Sequence, residues 1–209
     1  MSFRTASTQG TLAITLALIA AIPLFARVPA NEAALPAPFR HTSGAADIQV
    51  ADHSATQDDD SAVLLAARRL IIPIVGIAHS GLRDTFDERR GMGKHEAIDI
   101  AAPRGTPVVA VDDGRVAKLF KSIPGGLTIY QFDPEQKFAY YYAHLDGYAE
   151  GLKEGMSIRR GDLLGYVGTT GNAASDSPHL HFAIFRLGPE RRWWKGTPMN
   201  PYVYLGDRY

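Results

Sequence analysis

The chain of 209 residues contains no cysteine. That absence excludes a disulfide framework and any thiolate metal site, so the fold stands without covalent staples and a bound metal would need imidazole or carboxylate ligands. An excess of charge is missing too, since Lys+Arg and Asp+Glu number 22 each. Nucleic-acid binders gain most of their non-specific affinity by displacing counterions from phosphate, and a balanced chain lacks the basic footprint for it. Nucleic acid is therefore set aside as a partner. What the chain does have is a 45% apolar composition, enough to bury the core of one domain.

The N-terminus reads as an address. No charge falls between Arg4 and Arg27, and the run from Leu12 to Phe25 is almost wholly apolar. That length suits an export h-region of roughly 7–15 residues better than a bilayer span of about 20. Val28-Pro29-Ala30 places small residues before a cleavage point. Residues 1–30 are read as a signal peptide or membrane anchor, in the latter case a tether through residues 11–26. Residues 31–60, rich in Ala, Pro, Ser, Asp and Thr, cannot offset their ordering entropy by burial and are read as a disordered linker.

A packing helix is expected over 61–72. Asp58, Asp59 and Asp60 precede it, Val63, Leu64, Ala67, Leu70 and Ile71 form an apolar face, and Arg68 and Arg69 stand near its end before Pro73. From about Ile74 to Leu205 the pattern is β structure punctuated by turns. Thr106–Val111 and Arg115–Phe120 flank Asp112-Asp113-Gly114 like a hairpin; Leu127–Phe132 and Phe138–Ala143 flank Asp133-Pro134 likewise. A third pair joins Ile158 to Leu163–Val167 through Arg159–Asp162. Such spacing predicts a mostly antiparallel sheet or sandwich with little helix.

Four histidines and an aspartate stand out: His95 and Asp99 in HEAID, His144 in YYAHL, and His179 and His181 in SPHLHF. In a strand over 180–185, Leu180, Phe182 and Ile184 share one face and His179 and His181 share the other. His95 and Asp99 would project to one side of an extended segment over 94–100, and would also meet on a helix. A Zn²⁺ hydrolase needs three protein ligands, a vacant position for water and proton-handling groups nearby, and these side chains can supply that set. His41, His53 and His79 lack partners at ligand spacing and are read as ordinary. The cluster Arg191–Trp194 is read as packing against the sheet rather than as part of a site.

The segments GMGKHEAIDIAAPRGTPVVAVDDG, YYAHL, RRGDLLGYVGTTGN and SPHLHFAIF, in this order, resemble the LytM or lysostaphin-like zinc metallopeptidases of family M23, over about residues 73–205. Ala97 stands where many members have Gly. The resemblance implies a curved antiparallel β-sheet with an open groove in a domain over 73–209. It implies Zn²⁺ held by His95, Asp99 and His181, with His144 and His179 handling protons and charge. Together with the export to the periplasm or cell envelope expected from the N-terminal segment, it implies peptide bonds of peptidoglycan, in cross-links or stem peptides, as the substrate.

Two neutral imidazoles and one carboxylate leave a divalent cation a net charge of about +1, so it stays Lewis acidic. The chain has no His-Glu-x-x-His motif. The expected general base is therefore His179, with His144 stabilising the oxyanion, roles the two could exchange. Two alternatives come from other classes. One is a LytM-like regulatory module that activates cell-wall amidases, which the five filled positions argue against. The other is a biotinyl or lipoyl carrier, but the Asp113-Gly114-Arg115 turn offers no lysine to modify.

Overall fold

The computed structural model describes residues 60–206. The expected signal or anchor segment, the linker, His41 and His53 lie outside them. Among the described residues no helix is long and apolar enough to cross a membrane.

The described residues form thirteen strands. They are β1 (Leu70–Ile71), β2 (Arg89–Arg90), β3 (Gly93–Lys94), β4 (Ile98–Ala101), β5 (Pro107–Val109), β6 (Gly114–Ser122) and β7 (Gly126–Phe132). Then follow β8 (Phe138–Tyr148), β9 (Ser157–Ile158), β10 (Leu163–Val167), β11 (His179–Leu187), β12 (Gly196–Met199) and β13 (Leu205–Gly206). The large sheet runs β12-β11-β8-β7-β6-β9, with β4 on β11 and β10 joining β8 to β5. All its pairings are antiparallel, as the strand spacing predicts.

Strand alternation divides the sheet's two faces. Tyr140 and Tyr142 of β8 join Leu180, Phe182 and Ile184 of β11 in the main core. Tyr141, Ala143 and Ala183 belong to a smaller cluster on the opposite face, where Trp193 also packs, its ring 4.8 Å from that of Tyr130 and 5.3 Å from that of Phe120. Alanines at 97, 139, 143 and 183 keep that second face shallow in side chains, which leaves room for a groove.

Several local expectations need correction. The helix occupies 60–67, not 61–72. Arg69 turns into a left-handed conformation (φ 53°), and Leu70 and Ile71 pair in parallel with Leu205 and Gly206. Burying Leu70 in the core outweighs one more helical turn. The Asp112-Asp113-Gly114 segment is not a hairpin turn, because β5 pairs with β10 while β6 pairs with β7 and β9. Asp112 is instead buried, accepting from Tyr140 Oη (3.0 Å), Arg68 (3.5 Å) and Arg160 (3.1 Å). The third hairpin fails similarly, with β9 on β6 and β10 on β5 and β8. The β7–β8 hairpin forms as read, Phe132 opposite Ala139.

Candidate metal centre

His181 lies in β11 between two neighbours, opposite Asp99 of β4 on one side and Ala143 of β8 on the other. That register places the Asp99 carboxylate beside the His181 ring. His95 is not in the same strand as Asp99, contrary to the extended 94–100 segment expected. It follows β3, and Glu96 (φ 55°) turns the chain before β4 begins at Ile98. The turn swings the His95 ring back over β4.

Three donor atoms converge. His95 Nε2, His181 Nδ1 and Asp99 Oδ1 stand 3.1 Å from one another on every side. Among the described residues this is the group of His and acidic side chains placed to share a metal ion. Burial would raise the Asp99 carboxyl, but whenever the His181 and His95 rings are protonated their hydrogen bonds and charge outweigh it and hold it well below the usual carboxylate range. Its other oxygen, Oδ2, accepts from Arg90 Nη2 at 2.9 Å, and Arg90 also contacts Glu88 at 3.2 Å. Burial pushes the His181 imidazole down, against the opposing pull of Asp99.

The tautomers point the same way. His95 Nδ1 lies 3.1 Å from the Thr85 carbonyl, which can only accept, so Nδ1 carries the proton and Nε2 of the neutral ring is bare. A bare nitrogen 3.1 Å from a carboxylate oxygen is two acceptors face to face, an arrangement that a cation between them relieves. Tetrahedral Zn²⁺ with bonds of about 2.0–2.1 Å keeps its ligand atoms about 3.3–3.4 Å apart. The triangle fits.

The remaining two histidines stand beside it. His179 donates from Nδ1 to the Ser177 carbonyl (2.8 Å), leaving Nε2 3.8 Å from Asp99 Oδ1. His144 donates from Nδ1 to the Thr170 carbonyl (2.8 Å), and its ring centre is 5.0 Å from that of His179 and 5.7 Å from that of His181. Burial pushes the His144 imidazole down to about 4. Its backbone has φ 61°, and it sits where the β7–β8 register slips between Leu127 and Ile129. Such a bulge re-aims a side chain, here off the strand alternation and into the groove. His144 N–H donates to Gly125 O (2.8 Å), and Thr170 Oγ1 accepts from Leu127 N–H (2.9 Å) and donates to Leu145 O (2.7 Å).

All five residues read from the sequence line one groove of about 740 Å³. Its lining includes the small, uncharged Pro124, Gly125, Ala173 and Ala174 and the charged Arg83, Arg90, Lys94, Glu88 and Glu96. His79 stays outside it, Nε2 against the Tyr202 carbonyl at 3.3 Å. Thr85 and Arg90 carry no motif or spacing signal in the sequence, and Thr170, although inside the segment RRGDLLGYVGTTGN, is not marked there as a partner of His144.

The sequence profile of peptidase family M23 matches residues 93–201, more than half the chain. The chain belongs to peptidase family M23. It is 32% identical to the L-Ala--D-Glu endopeptidase of Bacillus subtilis over 131 residues, 59% of this chain and 39% of that protein. It is 38% identical to the DD-carboxypeptidase/endopeptidase Mpg of Neisseria meningitidis serogroup B over 108 residues, 51% of this chain and 22% of that one. The chain thus spans well under half the length of these M23 relatives. Among solved structures, Helicobacter pylori Csd3 superposes with a TM-score of 0.51 at 26% identity, over 66% of this chain and 33% of that one.

Proposed function

We propose that this M23 chain is a zinc-dependent endopeptidase that hydrolyses peptide bonds in the cross-links or stem peptides of peptidoglycan, in the periplasm or cell envelope. The observation that carries the reading is the 3.1 Å triangle of His95, Asp99 and His181 flanked by two further histidines in one groove. Relatives whose names include endopeptidase support the reaction class. The apolar run over Leu12–Phe25 supports export.

His95, Asp99 and His181 would hold the ion, Zn²⁺ being suited by a set of two imidazoles and one carboxylate. Bound there, zinc supplies a Lewis acid that polarises a peptide carbonyl and acidifies water. His179, its Nδ1–H tied to Ser177, presents a bare Nε2 to the groove and acts as general base, taking a proton from the attacking water and delivering it to the leaving amine. His144, tied to Thr170, also presents a bare Nε2. It would stabilise the oxyanion by drawing a proton from solvent water onto that nitrogen as negative charge develops beside it, a role worth about 3 kcal/mol. Arg90 leaves Asp99 Oδ1 free by occupying Oδ2.

The test is to incubate the purified full chain with peptidoglycan, with and without a chelator, and analyse the products. Peptides with new amino termini should be released, release should stop with chelator, and zinc should restore it. No release under any condition, together with stimulation of an added cell-wall amidase, would instead identify a regulatory module.

A further inference from the structure

We infer that Thr85 is a positioning residue that holds His95 and Asp99 in their ligating poses through one hydroxyl and one carbonyl. The inference rests on the reading of the triangle as a metal site and adds to it the group that sets its geometry.

β4 has β11 along one edge only, and the segment 85–88 runs beside 95–99 on the other. His95 N–H donates to Glu88 O (2.8 Å) and Glu96 N–H to Phe86 O (2.9 Å). Where this backbone pairing ends, Thr85 replaces it with a side chain. Its Oγ1 accepts from Asp99 N–H at 3.2 Å and reaches the Ala97 carbonyl at 3.4 Å. The same oxygen lies 3.2 Å from His95 Nδ1, and the Thr85 carbonyl lies 3.1 Å from that nitrogen. One residue, 7% exposed, thereby grips both ends of the His95-to-Asp99 segment.

Each grip has a separate consequence. The carbonyl obliges Nδ1 to carry the imidazole proton, which leaves Nε2 bare toward Asp99 and His181. The hydroxyl satisfies a backbone N–H that no neighbouring strand reaches, so the carboxylate keeps its place opposite His181. Groups behind metal ligands that act this way alter metal affinity by about 10- to 100-fold when removed.

The experiment is a zinc titration of the full chain against a competing chelator, for wild type, Thr85→Val and Thr85→Ser. Val keeps the shape and the carbonyl but loses the hydroxyl; Ser keeps both polar groups. Thr85→Val should weaken zinc binding about tenfold or more, and Thr85→Ser should stay within about twofold of wild type. Equal affinity in Thr85→Val and wild type, or equal loss in Val and Ser, would overturn the assignment. Should Thr85→Val fail to fold, ¹⁵N resonances of the imidazoles in metal-free wild type decide. His95 protonated at Nδ1 supports the assignment, and His95 protonated at Nε2 overturns it. A wild type that binds no zinc would bring down the metal reading itself, which separates the two failures.

Discussion

At the scale of single residues, the distinction between ligands and proton carriers yields the sharpest mutational forecast. His181→Ala removes a corner of the triangle and should lose both zinc and turnover, measured by metal content after gel filtration and by peptide release. His179→Ala leaves the triangle whole, since its Nε2 stands 3.8 Å from Asp99 Oδ1, outside the three 3.1 Å contacts. It should retain most zinc while turnover falls by a factor of about 10²–10⁴. Equal metal loss in both would overturn these roles. The five candidate residues stood out in the sequence because histidine is scarce and these four are grouped with Asp99 in short motifs, and the fold brings all five to one groove. The roles of Thr85, Thr170 and Arg90 were not legible, because a threonine or arginine that orients a ligand leaves no spacing signature, even where, like Thr170, it lies inside a quoted motif. Thr85 lies ten residues from His95 and Thr170 lies 26 from His144, and only the fold joins them.

At the scale of elements, the two faces of β11 were readable, its apolar and histidine sides separating as alternation requires, while the strand itself runs from His179 to Leu187 rather than over 180–185. The hairpins were read on turn chemistry alone, and that failed where the turn residues had other duties. Asp112 looks like a turn former, yet its carboxylate is buried among Tyr140, Arg68 and Arg160, and the strands on either side of it find partners distant in sequence. Arg68, at the end of the 60–67 helix, also pairs with buried Asp133 (2.6 Å) and with Glu135. Arg68→Met would strand carboxylates that are 2% and 0% exposed, at a cost of about 3 kcal/mol. A melting curve should show a drop of roughly 6–12 °C, and no change would mean the helix end is not a structural clamp. The bulge at His144 was equally hidden. Gly126 (φ 64°) packs so closely on Thr170 and Gly171 that a Cβ would collide with both. Gly126→Ala should therefore displace the Thr170 loop that orients His144, costing more than about 1 kcal/mol and lowering turnover, while zinc content stays at the wild-type level.

At the scale of the whole molecule, the apolar fraction and the β-type spacing indicated a mostly antiparallel sheet with a buried core, which the described residues form, whereas the groove was expected only from the family resemblance. Composition did not reveal how small residues shape that groove, since Ala97, Ala139, Ala143 and Ala183 are unremarkable singly and define a concave face only together. A ligand that binds the folded chain alone stabilises it in proportion to its occupancy. Free zinc at 100 times its dissociation constant should add about 2.7 kcal/mol, raising the melting temperature by roughly 5–11 °C. Chelator should abolish the gain, and so should His181→Ala.

Whether His95, Asp99 and His181 bind a single divalent cation is answered by anomalous scattering at the zinc edge from crystals of the protein grown with zinc. One peak within about 2.0–2.2 Å of His95 Nε2, Asp99 Oδ1 and His181 Nδ1 is the expected result. A triangle without a peak, or zinc held by other side chains, would contradict it.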